Sequence, residues 1–415
     1  MNKVCAHIFL WALAIVSCTR QEAEGGIGAP ARTPILFNSG CAPLTVETKA
    51  GDTFVDNALA TPVVGKSFCV YAWNTGASYL GSNPGTPLFI NGLPVVFTNN
   101  DDQGRNNNYD PASLSDPMDQ YWPQAADGYA YSFLSYYPYS ATPGETGIGV
   151  PTFPSLTVGR FAFTAKTDSG ADLAVDDMVD FCVSDVANDQ RYGNTTSEYP
   201  GTVDLRFHHM LTLVRVCFVK SRDVAADYAI RILDAKLENI NTTATLTATY
   251  TPPAVRGVNV AGTTSFAWSL WNNPRDYQIT FGGVNPEYNS GTGTATNPVT
   301  LGYSQVVNKE DIFLLIPQTI WNNDPGNAYP QKIHFWWDTP GGAATEGTVF
   351  LYDSVKLIGS EERADISWEP GSFVTYTVVI RTAPIVFGLD TNYDLDVTIE
   401  PWPTEDVNGY IQIID

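Results

Sequence analysis

The chain has 415 residues, with 22 Lys and Arg against 44 Asp and Glu, so its formal net charge is −22 at pH 7. The length suits two or three domains with full hydrophobic cores. A hydrophobic content of 44% excludes wholesale disorder, and the acidity argues against nucleic acid as a partner, because phosphate binding needs clustered Lys and Arg. Charged residues make up only 16%, while 34 Gly, 28 Pro and 12% aromatics favour strands and turns over helices. The composition reads as an acidic, all-β, extracytoplasmic protein.

Taken in chain order, the first signal is one of export. Lys3 supplies a sparse positive region and 6–16 is a short apolar run, too short to span a bilayer. Residues 1–17 therefore read as a signal peptide. It ends in Ile15-Val16-Ser17-Cys18, which resembles the lipobox of bacterial lipoproteins, where the cysteine receives diacylglycerol and becomes the new N-terminus. Residues 18–32 form a polar tether with no core-forming pattern. The lipid on Cys18 would be the membrane anchor.

Beyond the tether, strands are expected almost everywhere. A short first strand covers 34–37, and a polar stretch follows to Lys49. Further strands are expected at 68–73, closed by Asn74-Thr75-Gly76, and at 93–98. The Asn- and Asp-rich segment 99–119 reads as a surface loop. Aromatic and small residues alternate over 129–137, and 203–220 is a long apolar run that can bend at His208-His209. One or two helical turns are expected at 223–228. The clearest two-residue periods lie at 244–250, with threonine on one face, and at 394–400, with Leu395, Val397 and Ile399 on one face. Runs at 312–316 and 373–380 complete a β-sandwich pattern that occurs twice over.

Catalytic motifs are not evident. There is no G-x-S-x-G, no H-E-x-x-H and no phosphate loop. Adjacent His208 and His209 on one strand point to opposite faces and cannot share an ion, and His334 sits among aromatics. Carboxylate pairs follow from the acidic composition, and no spacing specifies a glycosidase cleft. Two segments have oxygen spacing that could suit calcium, 99–110 and 390–396, but both read more simply as solvated loop or strand entry. The residues point to no metal and no cofactor. Tyr121-Trp122 and Trp336-Trp337 could stack on sugars, although such pairs more often pack internally. Cys41, Cys69, Cys182 and Cys217 allow three disulfide pairings, yet Cys69 and Cys217 lie inside apolar runs that suit free buried thiols equally.

Several motifs in order carry a resemblance. Ile35-Leu36-Phe37 is followed by Thr48-Lys49-Ala50 and by Phe68-Cys69-Val70-Tyr71-Ala72-Trp73. Then come Tyr121-Trp122-Pro123, Tyr131-Ser132-Phe133-Leu134-Ser135-Tyr136-Tyr137-Pro138, and Phe207-x-His209. Leu315-Ile316-Pro317-Gln318-Thr319, Trp368-x-x-Gly371 before Tyr376, and Ile399-x-x-Trp402 complete the series. Behind a lipobox, this order resembles the fimbrillin family of lipoprotein pilins from Bacteroidales, the type V pilins.

The resemblance implies an all-β fold of two transthyretin-like β-sandwich domains in tandem with Greek-key connections, here 33–222 and 223–415. It implies assembly rather than catalysis. A surface protease cuts beyond the first strand, and a strand from another subunit fills the vacated groove. The aligned cut lies at Lys49, before Ala50, where the family's familiar members carry arginine; cutting at Arg32 or Arg20 would free the lipid without opening the groove. Ile35 and Phe37 would be the displaced inward residues. Two C-terminal segments could donate: Leu395-x-Val397-x-Ile399, which reads more simply as a permanent strand, and the terminal run with Tyr410, Ile411 and Ile413, which reads equally as the mobile donor or as a hairpin partner closing the last sheet. Cys41 would leave with the fragment, so Cys69, Cys182 and Cys217 are expected to be buried and mostly free. Expected partners are other copies or related fimbrial subunits, with host or bacterial surface glycans or proteins as adhesion targets. The alternatives are a lipid-anchored sugar-binding adhesin that never polymerises and a surface glycan-acting enzyme.

Overall fold

Aromatic and β-branched runs make the strands, and their alternation decides which core each side chain enters. The computed structural model describes residues 35–41, 55–56, 61–62, 67–76, 87, 89–100, 106–108, 122, 130–139, 146–154, 157–165, 180–192, 201–254, 262–270, 273–307, 311–320, 330–351, 367–381, 393–401 and 410–413. All of them belong to the unit Thr33–Asp415. Among the described residues there are strands and turns but no helix.

The strands in chain order begin with β1 Leu36–Cys41, β2 Val55–Asp56, β3 Thr61–Pro62, β4 Ser67–Gly76, β5 Ile90–Asn100, β6 Asn106–Asn108, β7 Ala130–Tyr137, β8 Gly159–Thr164 and β9 Cys182–Ser184. Next come β10 Ala187–Gln190, β11 Thr202–His209, β12 Thr212–Lys220, β13 Arg231–Asn241, β14 Thr243–Thr251, β15 Thr263–Leu270, β16 Pro274–Gln278, β17 Glu287–Asn289 and β18 Thr294–Thr296. The series closes with β19 Val299–Thr300, β20 Ser304–Val307, β21 Ile312–Leu315, β22 Lys332–Asp338, β23 Thr345–Phe350, β24 Ser372–Ile380, β25 Tyr393–Pro401 and β26 Tyr410–Ile413.

The largest sheet runs β1-β11-β9-β7-β4-β5-β6, with β10 added on β7. Its central strands are covered on both sides. Along β4, Phe68, Val70 and Ala72 enter an outer core, while Cys69, Tyr71 and Trp73 enter a middle core. Along β7, Tyr131, Phe133 and Tyr137 enter the outer core, and Leu134 and Tyr136 the middle one. A second sheet, β21-β12-β24-β25, bounds the middle core from the other side. There Leu213 and Cys217 face the middle core, and Val214, Val216 and Phe218 face a third. The third core is closed by β13, β16 and β22 through Ile232, Leu237, Tyr277, Ile333 and Phe335.

The division expected near residue 222 falls just after β12, while β14 and β15, beyond it, join β8, before it, in one sheet. Parallel pairing of β12 with β24 requires a crossover, and both faces of that pair are buried as parallel strands demand. Two polar residues are drawn into β12. Arg215 lies over the Phe373 ring at 4.8 Å and donates from Nη2 to Thr375 Oγ1 at 2.9 Å. Lys220 donates from Nζ to the carbonyls of Ala225, Ala226 and Tyr228 at 3.2, 3.0 and 3.2 Å.

Three expectations change. The bend placed at His208-His209 lies at Met210-Leu211, where the chain leaves the first sheet for the second. The helical turns expected at 223–228 are two separate four-residue turns, closed by Val224 N to Ser221 O and Tyr228 N to Ala225 O, while Lys220 gathers the carbonyls. Residues 99–100 and 106–108, expected as loop, are strand, because the backbone of asparagine pairs at a sheet edge whatever its propensity.

Candidate functional site

The first strand occupies one end of the largest sheet. β1 pairs in parallel with β11, in a register that runs from Leu36 opposite Thr202 to Cys41 opposite Phe207. The far end of the same sheet, β6, curls back near β1. Ile35 and Phe37 are fully buried in the outer core with Phe68, Val70, Phe133 and Leu205. The Phe37 ring meets Phe68 edge-on at 6.3 Å and Phe133 at 5.7 Å. Beside them Trp122 is buried; its indole N–H donates to Gly201 O at 2.9 Å, fixing the entry to β11.

The chemistry of this arrangement is that of a plug. Two large apolar side chains each contribute roughly 1.5–3 kcal/mol by burial, and one parallel ladder satisfies the outer backbone edge of β11. Taking β1 away would expose that edge and open apolar slots, which is a template for another strand. Ile35 and Phe37 are the residues through which this end of the chain fills the outer core. Cys18, Arg20, Arg32, Lys49 and Ala50 lie outside the described residues.

The other end of the chain is paired elsewhere. Tyr410, Ile411 and Ile413 belong to β26, which forms an antiparallel ribbon with β20, Val307 opposite Tyr410 and Ser304 opposite Ile413. It does not form a hairpin with β25. By contrast, β25, which carries Leu395, Val397 and Ile399, pairs along its whole length with β24.

The remaining candidates are placed as follows. The thiols of Cys69, Cys182 and Cys217 are buried and form no disulfide among the described residues. Burial pushes the thiols of Cys69 and Cys217 up to about 12. Trp122 and Trp337 are buried and so are not available to stack on a sugar, while Trp336 packs on Tyr288 at 4.9 Å. His208 Nε2 lies 3.0 Å from Asp185. His334 is held between Glu238 at 2.9 Å and Glu346 at 2.8 Å. Of the two segments weighed for calcium, 101–105, 109–110 and 390–392 lie outside the described residues, and 393–396 are strand.

One juxtaposition was not expected from the sequence. Asp180, Cys182 and His209 meet at the edge of the outer core, and their ligand-type atoms lie within 4.8 Å of one another. The signals were Asp-x-Cys at strand spacing and a histidine two residues beyond Phe207; only the register joins them.

No curated protein matches the chain. Among solved structures it is similar to a fimbrial protein from Bacteroides vulgatus ATCC 8482, with 15% identity, coverage of 89% of this chain and 99% of that chain, and a TM-score of 0.50. It is also similar to a fimbrilin from Porphyromonas gingivalis W83, with 9% identity, coverage of 90% of this chain and 97% of that chain, and a TM-score of 0.37. A further similarity is to the tip fimbrial protein Mfa3 from Porphyromonas gingivalis, with 10% identity, coverage of 82% of this chain and 95% of that chain, and a TM-score of 0.35. At 15% identity the likeness to the Bacteroides vulgatus protein concerns the fold alone. The fimbrillin-like family model matches residues 63–402, most of the chain, and the protein therefore belongs to the fimbrillin-like family.

Proposed function

We propose that this protein is a subunit of cell-surface fimbriae, exported as a lipoprotein on Cys18, freed by a cut between Lys49 and Ala50, and assembled by strand exchange. Membership of the fimbrillin-like family supports a fimbrial structural or adhesive role. The observation that carries the finer reading is the position of β1: it ends its sheet, has β11 as its ladder partner, and plugs the outer core with Ile35 and Phe37.

A single cut beyond β1 separates it from the rest of the fold, and a strand from another subunit then restores the ladder and the apolar contacts. The donor favoured is β26, whose ribbon with β20 spans only the four residues Tyr410–Ile413 and so has little to lose on leaving. Other copies of the chain or related fimbrial subunits are the partners, and surface glycans or proteins the adhesion targets.

N-terminal sequencing of the protein released from the cell surface tests this. An N-terminus at Ala50 is expected. One at or upstream of Thr33 would leave β1 in place and rule out strand exchange at this groove.

A further inference from the structure

Cross-strand register brings three metal-ligating side chains to one point. In the antiparallel pairing of β11 with β9, His209 stands directly opposite Cys182. The ladder continues past the end of β9, where Met210 N donates to Phe181 O at 2.8 Å, so the chain is still extended at Asp180. Residues two apart on an extended chain share a face, and Asp180 therefore joins Cys182 on the side that meets His209. The distances follow. Cys182 Sγ lies 3.5 Å from Asp180 Oδ2 and 3.6 Å from His209 Nδ1, and His209 Nδ1 lies 3.1 and 3.0 Å from the two carboxylate oxygens.

We propose that Asp180, Cys182 and His209 form a binding site for a divalent transition metal of the zinc type. Zinc bonds of about 2.3 Å to sulfur and about 2.0–2.1 Å to nitrogen or oxygen set tetrahedral ligands roughly 3.3–3.6 Å apart. The two sulfur edges already have that length, and the third opens by a few tenths of an ångström when the hydrogen bond it now makes is replaced by the ion. One sulfur, one imidazole and one carboxylate with a fourth position left for water is a ligand set that suits zinc rather than calcium or magnesium.

Charge supports the same reading. A carboxylate only accepts, so the imidazole proton is on Nδ1, and the thiol proton is also directed at Asp180. On binding, the thiol proton leaves to solvent and the imidazole carries its proton on Nε2 alone, which frees both lone pairs. Thiolate and carboxylate then balance the dication, leaving a neutral cluster, as a buried site requires. Cys182 and Asp180 are buried and the His209 side chain is only 8% exposed, so an ion held here would be shielded from solvent. The bound ion would tie β9 to β11 just beyond the stretch of β11 that carries β1.

The test titrates Zn²⁺ and Co²⁺ into the full chain after chelator treatment. One equivalent of zinc is expected to bind and raise the melting temperature, and cobalt is expected to give a thiolate charge-transfer band. Cys182→Ser should remove the band, and Asp180→Asn should weaken uptake at least tenfold. An unchanged band in folded Cys182→Ser overturns the proposal. X-ray absorption at the zinc edge of the wild-type protein decides the matter even where a variant fails to fold. A single sulfur neighbour is expected; a shell of oxygen and nitrogen alone, or no bound zinc, overturns the site. Neither result bears on processing at Lys49, so this site and the assembly reading stand or fall separately.

Discussion

The ring of Phe37, on the first strand, lies edge-on to Phe133, near the middle of β7, with centroids 5.7 Å apart and planes at 75°. A residue from the end of the sheet thus packs against one of its central strands, because the outer core sits inside the curl of that sheet.

Phe37→Ala should leave a cavity bounded by Phe68 and Phe133. The expected loss is about 3–5 kcal/mol in the uncut chain, the usual range for truncating a buried phenylalanine. Urea unfolding of the full chain and of a chain beginning at Ala50 reads it: the full-length variant falls, and the shortened protein, which lacks the residue, sets the floor. A change below about 1 kcal/mol contradicts the plug.

Cys18→Ala should abolish lipid attachment. The variant is expected in the aqueous phase of a detergent partition, with the wild type in the detergent phase. Equal retention of both forms in the detergent phase counts against the anchor.

Deleting Gly409 to Asp415 removes β26. A folded monomer that forms no fimbriae is the expected outcome, read by circular dichroism and electron microscopy. A destabilised monomer would mean that the ribbon with β20 belongs to the permanent fold, and normal fimbriae would exclude this strand as donor.

Burial raises the thiols of Cys69 and Cys217 from an ordinary 9.0 to about 12. The unfolded chain then loses these protons first as pH rises, so their stabilising effect is complete below pH 9 and is lost between 9 and 12. Each contributes a fall approaching about 1.4 kcal/mol per pH unit. Urea midpoints from pH 8 upward should show a shallower decline in Cys69→Ala or Cys217→Ala than in the wild type, apart from any constant offset; parallel lines contradict the assignment.

Local pattern made much of the fold legible. The apolar runs at 68–73, 312–316 and 373–380 are strands because their composition admits little else, and the two-residue period at 394–400 appears as β25. The first strand was visible at Ile35-Leu36-Phe37, though it extends to Cys41. Register was not legible. Nothing local to Cys182 announces His209, 27 positions later, until β9 and β11 are paired. The fate of 223–228 was hidden for a similar reason: its propensity allows helix, but the buried ammonium of Lys220 takes the carbonyls. For Trp122, internal packing, the more usual lot of such pairs, is what the structure shows, and burial is a property one sequence does not display.

Along β4, neighbouring residues report to different cores, Phe68 and Val70 to the one that holds Phe37, Cys69 and Tyr71 to the one behind it. Were β1 removed as proposed, the reverse side of the same strand would stay fully packed, and the sheet would stand as a wall between the vacated groove and the core behind it. On the proposed assembly route, such a subunit would wait with its groove open and still keep the shape that its next neighbour must recognise.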